Sequence, residues 1–104
     1  IRELHSMGKV ILTVQYDVQE AKRNDYLSAI EKLKAHYATN QFVSYSVYEQ
    51  RGKQNAFAEI FMAHSEVSYK KFEESEDQIA DDLTSELQIY IESKTKYTTY
   101  METK

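Results

Sequence analysis

Gly52 is the only glycine beyond residue 8 of this chain, and it lies in the polar stretch Gln50-Arg51-Gly52-Lys53-Gln54-Asn55. Phe42-Val43-Ser44-Tyr45-Ser46-Val47-Tyr48 precedes that stretch, and Ala56-Phe57-Ala58-Glu59-Ile60-Phe61-Met62 follows it. A short glycine-bearing loop between two strand-like runs predicts a β-hairpin. The hairpin constrains everything else, because a helical stretch flanks it on each side and a further strand-like run lies beyond each helix. The order is β-α-β-β-α-β.

The outer elements follow from periodicity. Over Lys9 to Asp17, Val10, Leu12, Val14 and Tyr16 alternate with Ile11, Thr13 and Gln15, which predicts a strand. From Ala21 to Ala38 the period lengthens: Tyr26, Leu27, Ile30, Leu33 and Tyr37 mark an apolar helical stripe, with Lys22, Arg23, Glu31, Lys32 and Lys34 on the other side. Ser65, with Glu66 in the first turn, starts a second helical region. Ser75-Glu76-Asp77-Gln78 has capping-box spacing, so a break is expected near Ser75, with a longer helix from Glu76 to Glu92 burying Ile79, Leu83, Leu87, Tyr90 and Ile91. Tyr97 to Glu102 reads as the fourth strand.

This order predicts an α+β, ferredoxin-like domain, a four-stranded antiparallel sheet with helices on one face. Val10, Leu12, Val14, Val43, Tyr45, Val47, Ala58, Ile60 and Met62 are assigned to the covered face. That leaves Ile11, Thr13, Gln15, Phe42, Ser44, Ser46, Tyr48, Phe57, Glu59 and Phe61 on the open one. Phe42, Phe57, Phe61 and Ile11 are too apolar as a group to face water, so a second copy of the chain is expected over them.

The 104 residues fit one domain, expected over residues 7–104, with residues 1–6 a vector remnant or frayed extension. The net charge of −4 and the lack of clustered Lys or Arg argue against nucleic acid and anionic membranes as partners. Without cysteine there is no disulfide framework, thiolate metal site or cysteine nucleophile. No secretory pattern is seen, and a soluble cytoplasmic protein is expected. No phosphate loop, Ser/His/Asp order or CxxC is present, and no cofactor is expected.

The Val10 to Tyr16 strand, the Tyr48-Glu49-Gln50-Arg51-Gly52 hairpin, the Ala58-Glu59-Ile60-Phe61 strand leading into Ser65-Glu66, and the short-then-long second helical region together resemble the dimeric α/β-barrel superfamily. Within it, the chain is similar to the small antibiotic-biosynthesis-monooxygenase-like proteins, over Lys9 to Glu102. The resemblance is one of pattern. It implies two ferredoxin-like sheets closing face to face into a homodimeric barrel, with a small organic molecule held between sheet and helices.

Glu59 is the sharpest candidate for chemistry, since a carboxylate in mid-strand between Phe57 and Phe61 would have its pKa raised by desolvation and could serve as a base. The simpler alternative is a buried or interfacial carboxylate satisfied by Tyr, Thr or Lys from the partner subunit. Thr13, Gln15, Ser44, Ser46 and Tyr48 share its expected face and, with Phe57 and Phe61 as aromatic walls, would orient a polar ligand; sheet-to-sheet packing explains them as well. His64, at the end of the third strand, is the second candidate for proton transfer, against an ordinary solvated histidine. His36 reads as a surface residue. Pairs such as Glu73/Asp77 and Asp82/Glu86 are one helical turn apart but lack the glycine-bearing loop of a calcium site, so no metal is expected. Three functions are consistent with these features: a homodimeric small-molecule-binding protein, a cofactor-independent oxygenase or isomerase acting on an aromatic or quinone-like compound, or a structural or regulatory dimer with a filled barrel.

Overall fold

The computed structural model describes residues 8–103. The extension expected at residues 1–6 lies outside the described residues. β1 (Val10–Asp17) leads through a 3-10 turn at Glu20–Lys22 into α1 (Arg23–Tyr37), followed by β2 (Ser44–Glu49), β3 (Ala56–Ala63), α2 (Glu66–Glu74), α3 (Gln78–Gln88) and β4 (Lys96–Met101). The strands form one antiparallel sheet in the order β2-β3-β1-β4, the ferredoxin-like arrangement, with β3 and β1 at its centre.

α1 buries Tyr26, Ala29, Ile30, Leu33 and Tyr37, the stripe its periodicity predicts with Ala29 added and Leu27 left at the margin. Past its end, Asn40 Oδ1 accepts hydrogen bonds from the backbone N–H groups of Phe42 (2.8 Å) and Val43 (3.0 Å) and turns the chain into β2. The hairpin between β2 and β3 closes with Gln50 N–H donating to Ala56 O at 2.7 Å. It carries two residues with positive φ, Gly52 at 83° and Asn55 at 69°.

The second helical region breaks at Ser75 as expected, and the helix after it starts at Gln78, two residues later than the capping-box reading placed it, and ends at Gln88, short of Glu92. Ser75 ends α2, its hydroxyl donating to Phe72 O at 2.8 Å. Asp77 is the N-cap of α3, its carboxylate accepting from Ala80 N–H at 3.0 Å. A carboxylate matches the positive helix start better than a hydroxyl does, which favours Asp77 as the cap. Of the expected stripe, Leu87 is buried and Leu83, Tyr90 and Ile91 are partly buried against the core; Ala80 is buried in addition, and Ile79, expected inside, is 61% exposed.

The pairing register corrects the assignment of faces in β3. Leu12 opposes Phe61, Val14 opposes Glu59 and Tyr16 opposes Phe57 across β1 and β3, while Tyr45 opposes Phe61 across β2 and β3. Directly opposed residues share a face. Phe57, Glu59 and Phe61 therefore point toward the helices and are all buried, whereas Ala58, Ile60 and Met62 point to the open face. Phe42 precedes β2 and is packed against the core. The physical reason is volume. The layer beneath the helices is filled by an aromatic cluster of Tyr37, Tyr45, Phe61 and Phe72, with ring centroids 4.9 to 6.4 Å apart, and large rings fill it better than Ala58 and Ile60 would.

Candidate functional site

Turning Phe57 and Phe61 inward carries Glu59 with them, because side chains two apart on a strand share a face. Glu59 is 5% exposed. Its carboxylate is met from both neighbouring strands: the Tyr45 hydroxyl of β2 donates to Oε1 at 2.7 Å, and the Tyr16 hydroxyl of β1 donates to Oε2 at 2.9 Å. Tyr26 of α1 lies 2.7 Å from Tyr16, hydroxyl to hydroxyl. A phenol has one proton to give, so with Tyr16 donating to Glu59 the Tyr26 hydroxyl is the donor to Tyr16. The result is a directed chain, Tyr26 to Tyr16 to Glu59, with Tyr45 entering from the other side.

Burial dominates the electrostatics of the group. Desolvation raises the pKa of Glu59, and the hydrogen bonds from Tyr45 and Tyr16 oppose that rise by stabilising the ionised carboxylate. The same burial, reinforced by the negative charge of Glu59, pushes the hydroxyls of Tyr16 and Tyr45 far above the ordinary phenol range. Burial also raises Tyr37, nearby in the aromatic cluster, to about 12. These tyrosines are therefore hydrogen-bond donors rather than phenolates at neutral pH.

The carboxylate borders a cavity of about 170 Å³ between the sheet and α3. Leu12, Val14, Phe61 and Leu87 give it apolar walls, Tyr16 and Glu59 a polar floor, and Thr84, Gln88, Thr95 and Tyr97 an outer ring. Thr84, Gln88 and Tyr97 are exposed, so the cavity opens between α3 and β4. A larger hollow of about 680 Å³ sits at the hairpin end of the sheet, between Tyr48, Lys53, Ala58 and Lys96. It is an open groove, and none of its charged side chains is buried.

The sequence-predicted residues separate into distinct places. Glu59 and Phe61 line the small cavity, while Phe57 packs on Tyr26 at 4.6 Å under the Arg23 guanidinium. Thr13, Gln15, Ser44, Ser46 and Tyr48 lie on the opposite face of the sheet from Glu59. His64 is exposed beyond the end of β3, 3.4 Å from Ser68 Oγ, and does not border the cavity. His36 is half-buried rather than on the surface, its Nε2 2.7 Å from Asp77 Oδ2, which ties α1 to the start of α3. That contact lowers the pKa of Asp77. Of the acidic residues, Asp82 accepts from Gln78 and Glu86 from Tyr90, and no group of three potential metal ligands occurs among the described residues.

Tyr16, Tyr26 and Tyr45 are the site residues that sequence reasoning missed. The available signal was inward parity: Tyr16 lies two residues after Val14 and Tyr45 two residues from Val43 and from Val47, on the same face as those valines, and a carboxylate on the same layer needs donors. No helix among the described residues is long and apolar enough to cross a membrane.

No family model matches the chain, and no curated protein matches it in sequence. Its fold is nevertheless shared by solved structures. A conserved protein from Methanosarcina mazei Go1 superposes with a TM-score of 0.80 at 14% identity, covering 97% of this chain and 99% of that one. A Caulobacter crescentus CB15 protein described as an antibiotic biosynthesis monooxygenase also gives 0.80, at 11% identity, over 99% and 97%. SnoaB, a cofactor-independent oxygenase from Streptomyces nogalater, gives 0.70 at 12% identity over 88% and 90%. At such identities the likeness is one of fold, and this chain has the ferredoxin-like fold of the antibiotic-biosynthesis-monooxygenase-like proteins.

Proposed function

We propose that this chain is a homodimeric small-molecule-binding protein whose ligand sits between the sheet and α3, against Glu59. The observation that carries this reading is a buried carboxylate, held by two tyrosine hydroxyls, at the floor of a cavity that reaches the surface. A mainly apolar pocket with a few convergent polar groups and a perturbed titratable residue has the usual make-up of a ligand site. The volume weighs against a filled barrel, and it is smaller than the roughly 300 Å³ of pockets for drug-sized ligands.

The dimer half of the proposal rests on the open face of the sheet. With β3 in its observed register, Ile11, Ala58, Ile60 and Met62 form the apolar part of that face, bordered by Thr13, Ser46, Tyr48 and Tyr100. A second sheet laid over them would enclose Gln15, Ser44 and Ser46, together with the already buried Thr13, in the seam, outside the Glu59 cavity. Mass spectrometry under native conditions, on protein purified without harsh washing, tests both halves at once. The expected species is a dimer carrying a small organic adduct that is lost in Glu59→Gln.

A second reading, a cofactor-independent oxygenase or isomerase acting on an aromatic or quinone-like compound, is favoured by the raised pKa of Glu59. A carboxylate moved toward neutrality is a better proton acceptor from carbon or phenol than an ordinary one. It also accords with the activity that gives SnoaB its description. In that reading Glu59→Gln binds the compound and fails to turn it over.

A further inference from the structure

β4 is an edge strand whose outer backbone groups and large side chains are left open by the rest of the fold. Glu102 N–H donates to Lys9 O at 2.8 Å, and along an antiparallel strand successive residues turn their backbone groups to opposite edges. Lys96, Thr98 and Tyr100 therefore direct their N–H and C=O groups at β1, while those of Tyr97, Thr99 and Met101 point away from the sheet. On the helix side, Tyr97 and Met101 oppose Val14 and Val10, yet they are 64% and 57% exposed, because the helical layer stops short of them. Tyr100, on the other side, is 57% exposed. We propose that β4 pairs antiparallel with β4 of a second copy about a twofold axis at Thr99. The pairing joins two four-stranded sheets edge to edge and sets the second copy's Met101 beside Tyr97, at the mouth of the Glu59 cavity. This contact is separate from the open sheet face on which the dimer proposed above rests, and it holds whether or not that face is covered.

Three features select a second copy and this register. The first is the backbone. With Thr99 on the axis, Thr99 exchanges both hydrogen bonds with its own copy and Tyr97 exchanges both with Met101, so every outward group of β4 meets a partner. The second is charge. The register sets Lys96 opposite Glu102 of the other copy at both ends, an arrangement that favours cross-strand pairing. Moved by two residues, Lys96 faces Tyr100 or Glu102 faces Thr98. One Glu102 carboxylate oxygen accepts from Lys9 N–H at 3.0 Å, which leaves the other for an ammonium group. The third is the side chains. Opposed residues share a face, so Tyr97 meets Met101 on the helix side and Thr98 meets Tyr100 on the open side. The other edge of the sheet, β2, offers no such match: Arg23 and the backbone of Asn55 hold the Glu49 carboxylate, and Tyr45 and Val47 pack against the core. A contact confined to one strand is small beside the roughly 1,200 Å² of stable interfaces, so it is weak and unpopulated at micromolar concentration.

The chain contains no cysteine, so single substitutions report the register by disulfide trapping. Opposed Cα atoms of a hydrogen-bonded antiparallel pair are about 5.5 Å apart, within disulfide reach, whereas residues off the axis meet their own copies beyond about 7 Å. Under mild oxidation of the concentrated protein, Thr99→Cys is expected to cross-link about tenfold faster than Tyr97→Cys or Met101→Cys alone, and a mixture of the last two should give the mixed disulfide. Sedimentation equilibrium of the wild-type chain from micromolar to millimolar concentration should show the dilute mass doubling, whatever that mass is, so failure of the proposed sheet-face dimer leaves this readout intact. Thr99→Pro should abolish the doubling while the NMR spectrum stays folded, since the N–H it removes points away from the sheet. Lys96→Glu should weaken association about tenfold and Lys96→Glu combined with Glu102→Lys should restore it, a pair that serves if the proline variant does not fold. Doubling that survives Thr99→Pro in a folded subunit, equal cross-linking at all three positions, or no doubling at millimolar concentration overturns the proposal.

Discussion

The Tyr16 hydroxyl lies 2.9 Å from Glu59 Oε2 and 2.7 Å from the Tyr26 hydroxyl, so one phenol links a carboxylate at the centre of the sheet to the helix packed over it. The two hydrogen bonds have different status. The one to Glu59 stabilises a buried charge, and the one from Tyr26 satisfies a hydroxyl that has no access to water, Tyr26 being fully buried.

Removing the Tyr45 or the Tyr16 hydroxyl is expected to raise the pKa of Glu59 further, since both donate to the carboxylate and stabilise its ionised form. Tyr45→Phe should lower stability by about 1.5 to 3 kcal/mol, the range for a hydrogen bond to a charged group. Tyr16→Phe should cost more, because it also leaves the Tyr26 hydroxyl without its acceptor. Chemical denaturation gives the stabilities, and carboxyl carbon chemical shifts give the titration of Glu59. A fall in that pKa in either variant would contradict the network.

Stability should decline as pH rises above the ordinary glutamate value. Burial raises the pKa of Glu59 in the folded state above its ordinary value of 4.5, so the folded state holds that proton more tightly than the unfolded one. Its contribution is fully present below 4.5 and is lost as pH climbs through the raised value. Glu49 runs the opposite way: hydrogen bonding to Arg23 holds it at about 2, and its contribution is intact above 4.5 and lost only as pH falls through about 2. The difference in Tm between wild type and Glu59→Gln, followed from pH 5 to pH 8, isolates the Glu59 component. It should move against wild type with rising pH, and a flat difference would refute the raised pKa.

Ile60→Asp should break the proposed dimer without unfolding the subunit, since Ile60 points to the open face, while Phe61→Asp should unfold it. Burying a charge in the aromatic cluster of Tyr37, Tyr45 and Phe72 costs several kcal/mol. Glu74→Ala, on an exposed helix end, should do neither. Light scattering should give about twice the 12.2 kDa chain mass for wild type and Glu74→Ala, and the chain mass for Ile60→Asp.

Gly52→Ala should destabilise the hairpin by about 1 kcal/mol through backbone conformation alone. Its φ of 83° disfavours a side chain, yet a Cβ there would have no neighbour within 4 Å. Denaturant unfolding measures the loss, and an unchanged sheet register by NMR shows that sterics play no part.

Asp77→Ala should remove both the cap of α3 and the partner of His36, lowering stability by about 1 to 2 kcal/mol. Because Thr84, Leu87 and Gln88 of the same helix line the cavity, ligand affinity should fall with it. Asp77→Asn, which keeps a cap oxygen, should retain most of both.

The amino-acid sequence alone carries the order of elements and most of their limits. β3 runs over Ala56–Ala63 as alternation and the flanking turn predict, and the hairpin glycine has the positive φ that its loop requires. It also singled out Glu59, because a lone carboxylate between two phenylalanines is conspicuous in any register. The direction in which that carboxylate points was not legible. β3 is apolar on both sides, Phe57 and Phe61 on one and Ala58, Ile60 and Met62 on the other, so hydrophobic alternation leaves the inward face undetermined, and a change of parity exchanges every side chain. Only packing decided it. The space beneath α1 and α2 is filled by the larger rings, and the phenols that hold Glu59 come from Tyr16, Tyr26 and Tyr45, residues 10 to 43 positions from their partners in the chain. No spacing rule encodes contacts of that kind, because they exist only once β1, β2 and β3 are paired and α1 is laid over them.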